Sequence, residues 1–317
     1  MALALTLRAI AWPEVTTPAY LWSRGLLLYR DVKFVHTPGM MGLLAAAFRI
    51  FGVSAAVLRG FALAGALAAH LFLLASTRRF TTMHRAATSL FFLAFFYGWQ
   101  GNSVWPVPIL AALSIPVSLA LEQRRFARAA LLVGTMILFK QTSAYVLLPI
   151  VAGILFSGNL LRAAHFLLIA ALPYFSAAAA FAALGAGRDY FRWTLIVPFA
   201  TGRAIFSLPG AADLGKIALA FAPLVAWTLG RSPRQRDRRS GWLLATAGGV
   251  ALIAFPRFDF LELVGAVPCL ALGAGRWLED GGSRSLAFRR ATVVTLSASF
   301  ATTIALGESF DGRILFW

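Results

Sequence analysis

Long apolar runs broken by short polar, arginine-rich intervals set the pattern of this chain. After a first short apolar stretch, Met1 to Trp12, a polar and amphipathic stretch runs from Pro13 to about Phe51 and carries Glu14, Asp31, Lys33, His36 and Pro38. Apolar runs follow at about 54–76, 86–98, 106–121, 129–148, 149–161, 163–184, 214–230, 241–255, 260–275 and 291–306. Crossing hydrocarbon takes roughly 20 helical residues. The alternation expected of a barrel is missing and lipid forbids unpaired backbone, so each run is read as a helical span. Several runs are shorter, which predicts tilted or re-entrant segments. The pattern predicts an all-α polytopic transmembrane helical protein of about 10–11 spans. A large first outer loop at 13–53 and a later outer loop at 185–213 belong to one transmembrane domain over 1–317, with no C-terminal soluble domain expected.

Composition narrows this further. Of 317 residues, 60% are hydrophobic and 13% charged, with mean hydropathy +0.77, too little polar surface to cover a water-soluble globule. The net charge of +17 would suggest nucleic acid in a soluble protein, yet no basic groove interleaved with aromatics is present. Basic residues instead gather where short cytoplasmic loops would hold them. With the breaks after alternate spans inside, Arg8, Arg78, Arg79, Arg85, Arg124, Arg125, Arg128, Arg162, the Arg231–Arg239 run, Arg276, Arg284, Arg289 and Arg290 share one side, giving 17 of the 29 basic residues. The N-terminus is then cytoplasmic. Glu14, Asp31, Asp189, Asp213, Asp259, Glu262, Glu308 and Asp311, eight of the twelve carboxylates, fall on the outer side. Acidic residues do not set topology, so their gathering on one face hints at chemistry there. Cys269 is the only cysteine and lies in an apolar run, which excludes a disulfide framework and a thiolate metal site.

The polar stretch after Trp12 carries a recognisable pattern. Trp12-Pro13-Glu14 leads to Tyr20, then to Gly25-Leu26-Leu27-Leu28-Tyr29-Arg30-Asp31, to His36-Thr37-Pro38-Gly39, and to Phe51-Gly52 and Arg59. Together these residues resemble the first outer loop of the C-fold (GT-C) membrane glycosyltransferases, the superfamily of protein O-mannosyltransferases and lipid A aminoarabinose transferases. Phe139-Lys140-Gln141-Thr142 and Phe255-Pro256-Arg257-Phe258-Asp259 are similar to two further stretches of that family. The match is good over 12–59 and loose elsewhere. A single Glu replaces the family's frequent Asp-Glu pair, and Glu262 stands near a position where His is often seen. The resemblance implies a fold whose large first outer loop lies on the membrane as interfacial helices and forms a cavity with the later loop, and an extracytoplasmic enzyme of the plasma membrane, prokaryotic in its expected setting. It would move a sugar, with inversion, from a polyprenyl-phosphate-linked donor to a lipid, glycan or protein acceptor, with membrane lipids as its surroundings and no nucleic acid.

Such a transfer needs a base for the acceptor hydroxyl and cations for the leaving phosphate. Glu14 is the expected base, its alternative being a carboxylate that favours a helix start. Asp31, flanked by Arg30 and Lys33, is open to two readings, a second catalytic carboxylate or a salt-bridged loop residue. Lys33, His36, Lys140, Gln141, Arg203, Arg257 and Asp259 are the candidate donor-phosphate or substrate-binding groups. A lysine inside an apolar segment faces a cavity or a polar partner unless it snorkels to the interface. Arg257 and Asp259 are equally open to pairing with each other. No metal site is assigned and no cofactor is certain: Glu14, Asp31 and His36 are acceptable ligand types for a divalent cation but lack a fixed spacing. The competing class, a transporter or lipid flippase, predicts an internal repeat and charges near mid-membrane. The candidate charges gather at the outer rim instead. On this map, cysteines introduced at Ser232 and Ser283 should react with impermeant reagents only from the cytoplasmic side; labelling of either in intact cells would refute it.

Overall fold

Several helix starts in this chain are marked by a proline or by a capping side chain. A computed structural model describes residues 10–202, 207–229, 238–255 and 258–280. The elements run β1 (Ile10–Ala11), α1 (Pro13–Ser23), α2 (Gly39–Phe51), α3 (Ala55–Ser76), α4 (Thr82–Gly98), β2 (Ser103–Val104), α5 (Pro106–Glu122) and α6 (Phe126–Phe139). A 3₁₀ turn, Gln141–Val146, leads to α7 (Leu147–Phe156) and α8 (Leu160–Ala183). Next come α9 (Gly187–Phe191), a π-helical turn at Arg192–Ile196, α10 (Val197–Gly202), α11 (Ala211–Leu229) and α12 (Arg238–Ala251). Last, α13 (Phe260–Leu263) passes through a 3₁₀ turn into α14 (Val267–Asp280). Pro13 and Pro106 open α1 and α5 at a position where a missing N–H costs nothing. Ser54, Thr81 and Asn159 cap α3, α4 and α8 by accepting from Val57, His84 and Arg162 N–H groups.

Among the described residues, three helical stretches are long and apolar enough to cross a membrane: Ala55–Ser76, Leu160–Ala183 and Phe260–Asp280. Shorter apolar helices include Gly39–Phe51, Pro106–Glu122, Phe126–Phe139, Gln141–Phe156 and Ser240–Ala254. The long stretches differ in role. Phe260–Asp280 is 83% buried across its apolar window and forms the axis with α5, whereas Ala55–Ser76 at 22% and Leu160–Ala183 at 28% turn most of their surface to the surroundings, as lipid-facing helices would. Helices α6 and α8 touch at backbone distance: a Cβ on Gly134 would strike Ala170 O and lie 2.8 Å from Pro173 Cδ. Small residues at such crossings are what allow membrane helices to pack without a water-driven force.

The structure departs from the sequence expectations in three places. The expected first span, Met1 to Trp12, cannot run to Trp12 as helix. Ile10 and Ala11 form a parallel pair with Ser103 and Val104, and Trp12 is extended, as the residue before a proline prefers. The expected spans 129–148 and 149–161 are divided at Lys140 instead of Pro149. Lys140 is extended (φ −154°, ψ 119°), and Pro149 sits in the first turn of α7, where proline is tolerated. The later outer loop, 185–213, is helical from Gly187 to Gly202. Tyr190 there is buried against Tyr29, Tyr174 and Phe181, so aromatic packing orders what the glycines and prolines suggested was irregular. The expected span at 291–306 lies outside the described residues.

The first loop is two packed helices, α1 and α2, and a fastened turn between them. Tyr29 adopts φ +74°, buries its ring, and donates its hydroxyl to His36 O at 2.8 Å. His36-Thr37-Pro38-Gly39 then seats on the end of α6: Thr37 Oγ1 donates to Ile137 O at 2.8 Å, and a Cβ on Gly39 would meet Leu138 O at 2.7 Å and Phe139 Cα at 3.2 Å. Gly39→Ala should therefore cost about 1–3 kcal/mol through overpacking of rigid backbone. Thermal unfolding in detergent reads this, and an unchanged midpoint would show that the contact is dispensable.

Candidate active site

Three chain breaks meet at one end of the bundle. They are the Trp105 end of β2, the Lys140 turn after α6, and the start of the α13–α14 run at Glu262. Lys140 Nζ forms an ion pair with Glu262 Oε1. Both side chains are mostly buried, 7% and 12% exposed, a condition charges tolerate only when paired. The Trp105 indole N–H donates to the same Oε1 at 3.3 Å, and the Lys140 ammonium lies 5.5 Å from the Trp105 ring centroid, within cation–π range. Lys140 thus turns inward to a partner and does not snorkel to the interface.

Aromatic rings wall this pair. His36 and Trp12 meet Trp105 edge-on at 5.8 Å and 6.0 Å, and Phe34 meets His36 at 5.3 Å. The two tryptophans occupy equivalent positions. Each follows a strand of the parallel pair, each is extended, and each is succeeded by a proline that opens a helix. Gln141 ties the first loop down beside Lys140, donating to Val35 O at 2.7 Å and accepting from Thr37 N at 3.3 Å.

Six buried side-chain polar atoms of this neighbourhood have no hydrogen-bond partner among the described residues: Trp12 Nε1, His36 Nδ1, Ser103 Oγ, Thr142 Oγ1, Ser143 Oγ and Glu262 Oε2. Only His70 Nε2 and Ser118 Oγ share that condition elsewhere among those residues. Such groups are rare and costly in native proteins. Their concentration around Lys140 makes this region the candidate site.

The sequence candidates separate on this geometry. Lys140, Gln141 and His36 come together. Glu14 is exposed in the first turn of α1, two residues from Trp12, with no polar partner among the described residues. Asp31 has structural partners: its carboxylate pairs with Arg30 at 2.9 Å and accepts the Leu27 N–H at 2.8 Å. The Arg30 guanidinium holds its carboxyl below the usual carboxylate range. Lys33 is exposed. Asp259 caps α13 by accepting from Leu261 N at 2.9 Å. Arg203 and Arg257 lie outside the described residues. Trp105, Glu262 and the hydroxyls of Thr142 and Ser143 were not singled out as site residues from sequence. The available signal for Glu262 was a carboxylate two residues into an apolar run. An open groove of about 700 Å³, lined by Tyr20, Ser23, Arg24, Phe48, Arg49, Gly52 and Val53, lies away from this cluster. Its arginines have partners in α1, Arg49 donating to Trp22 O and Ser23 O and Arg24 to the Tyr20 hydroxyl.

The opposite end of the bundle gathers other charges. Arg276 binds Glu122 through two hydrogen bonds of 2.6 Å and 3.0 Å, His84 Nδ1 meets Glu279 at 2.7 Å, and the Trp227 N–H reaches Asp280 at 2.7 Å. These carboxylates are partnered by helix-end side chains and form a brace.

Two solved structures share the arrangement over nearly the whole chain. ArnT from Cupriavidus metallidurans bound to undecaprenyl phosphate superimposes with a TM-score of 0.66 at 15% identity, covering 98% of this chain and 64% of that one. ArnT from the same organism in the apo state gives 0.59 at 15% identity, covering 98% and 63%. The chain has a GT-C-like fold. It spans just under two thirds of the length of these structures. No protein-family model matches the sequence, and no curated protein matches it.

His36 gives this candidate site a pH signature. Burial first, and then the neighbouring Lys140 ammonium, hold its imidazole down to about 4. A histidine whose folded pKa is depressed favours the neutral form, so its contribution is present above the unfolded value of about 6.5 and is lost as pH falls from there toward 4. Unfolding midpoints measured between those limits should drop more steeply for the native protein than for His36→Asn; equal slopes would show that His36 is hydrated in solution.

Proposed function

We propose that the protein is a membrane glycosyltransferase that takes a sugar from a polyprenyl-phosphate-linked donor and passes it to a hydroxyl acceptor at the end of the bundle that holds Lys140. The observation that carries this reading is the buried Lys140 ammonium at a helix break, surrounded by unpartnered polar side chains and walled by Trp12, Trp105 and His36. The fold supports it, since a protein of the same architecture has been solved with undecaprenyl phosphate bound.

In this reading the acceptor oxygen attacks the anomeric carbon as its proton passes to a carboxylate. The bond from that carbon to the phosphate oxygen breaks, and the polyprenyl phosphate leaves with an added negative charge. A single displacement inverts the anomeric centre. Lys140 faces the departing phosphate and offsets the charge that grows on it. Glu14 takes the acceptor proton: it has no polar partner among the described residues, is exposed to an incoming acceptor, and is carried in the first turn of the helix that follows Trp12. The aromatic walls offer flat faces to a sugar ring, and the unpartnered hydroxyls offer hydrogen bonds to its own. Asp31, already engaged by Arg30 and the Leu27 N–H, holds the turn that carries Tyr29. The reading assigns no step to a metal ion.

The test is turnover of purified protein with undecaprenyl-phosphate-linked sugars and a hydroxyl acceptor. Glu14→Gln keeps size and hydrogen-bonding shape but cannot accept a proton, so turnover should fall about 10²–10⁴-fold while donor binding stays near normal. Near-normal turnover in Glu14→Gln with a dead Asp31→Asn would transfer the role of base to Asp31. Full activity in both would remove this loop from the chemistry.

A further inference from the structure

The cation that would hold the lipid phosphate is already occupied. Glu262 Oε1 takes both the Lys140 ammonium and the Trp105 N–H, leaving Oε2 buried with no partner among the described residues. A permanent structural ion pair in a dry setting should be fully hydrogen-bonded, because the desolvation cost of each charge is otherwise poorly offset. This pair is half satisfied. The surrounding His36 Nδ1, Thr142 Oγ1 and Ser143 Oγ are also unpartnered. Ser143 is tied to the Lys140 backbone, its N–H donating to Lys140 O at 2.9 Å, so the turn that presents the ammonium also presents a free hydroxyl.

We propose that Glu262 is an internal competitor for the lipid phosphate at Lys140, so that it sets how firmly the site retains the spent polyprenyl phosphate. The inference rests on the transferase reading above. A donor phosphodiester carries one negative charge, whereas the polyprenyl phosphate left after transfer is a monoester with a second ionisation. A fixed carboxylate beside the cation repels the more highly charged species more strongly, so Glu262 biases Lys140 against the product. As the product leaves, Glu262 closes on Lys140 again and no buried ammonium is left unpaired. Glu262 is a positioning residue here: it does not touch the reacting atoms, and it acts through Lys140.

Glu262→Gln separates charge from geometry, since its amide oxygen can still accept from Lys140 and from Trp105. Binding of undecaprenyl phosphate to the purified full chain should tighten by about tenfold or more in this variant, and kcat and KM for the lipid-linked donor should fall together as release slows. Lys140→Met alone leaves a buried carboxylate unpaired and risks misfolding. The double variant Lys140→Met with Glu262→Gln removes both charges, should keep the native unfolding midpoint, and should lose undecaprenyl phosphate binding. Equal or weaker binding in Glu262→Gln, against a wild type that binds, overturns the competitor role while leaving the transferase reading standing. A wild-type protein that binds no undecaprenyl phosphate overturns both.

Discussion

A buried ammonium has to be met by an anion, and in this chain that requirement organises one whole end of the bundle. Lys140 cannot remain within an uninterrupted apolar helix. The chain breaks there, turns through Gln141–Val146 and restarts at Leu147. The anion comes from 122 residues later in the sequence, from Glu262 at the head of the buried Phe260–Asp280 run. Once these two are paired, Trp105 is fixed by its bond to the same carboxylate. Trp12 and His36 are then fixed against Trp105, and the first loop is drawn down onto Gln141. Each contact depends on the one before it. Loss of either charge alone would expose the other to a desolvation cost of several kcal/mol.

Much of this was legible in the sequence because bilayers impose simple rules. The apolar runs at 54–76, 106–121, 163–184 and 260–275 correspond closely to helices, since a span must satisfy its own backbone. Lys140 stands out as a candidate for a related reason, polarity standing where lipid punishes it, and the structure brings it together with Gln141 and His36. Two things were not legible. The boundary between the expected spans 129–148 and 149–161 falls at Pro149, whereas the chain breaks at Lys140 and that proline serves as a first-turn residue. Glu262 was counted among the outer carboxylates, and nothing local in Leu-Glu-Leu reveals that its partner is Lys140. The pairing is a tertiary fact with no sequence period. Asp31 stands in the family-like stretch, part of whose pattern also serves turn geometry. Gly25 and Tyr29 take positive φ, and Asp31 closes the turn.

Likeness to ArnT at 15% identity is understandable on the same grounds. Lipid-facing positions accept almost any apolar side chain, and α3 and α8 expose most of their surface, so sequence can drift there without changing the packing. What cannot drift is the set of close approaches. Gly39 lies over Leu138, Gly134 over Ala170, and Gly249 within 2.9 Å of Val146 Cα by the position of an added Cβ. These glycines join the first loop to α6, α6 to α8, and α12 to the turn after Lys140, so they position the site without entering it.

The two ends of the buried run Phe260–Asp280 show how the protein divides stability from function. At the Asp280 end every carboxylate of that run meets a donor: Glu279 meets His84 and the Thr81 N–H, and Asp280 meets Trp227. Nearby, Arg276 grips both oxygens of Glu122. At the Phe260 end, one oxygen of Glu262 is shared by two donors and the other has none among the described residues. The same helix, with the same apolar middle, is therefore anchored firmly at one end and left electrostatically incomplete at the other. Saturated networks rigidify, and partly satisfied ones remain responsive to what enters them. The end with unmet hydrogen bonds among the described residues is also the end that carries the aromatic walls and the first loop, so the polarity that the protein leaves open is gathered where its rings and its loop converge.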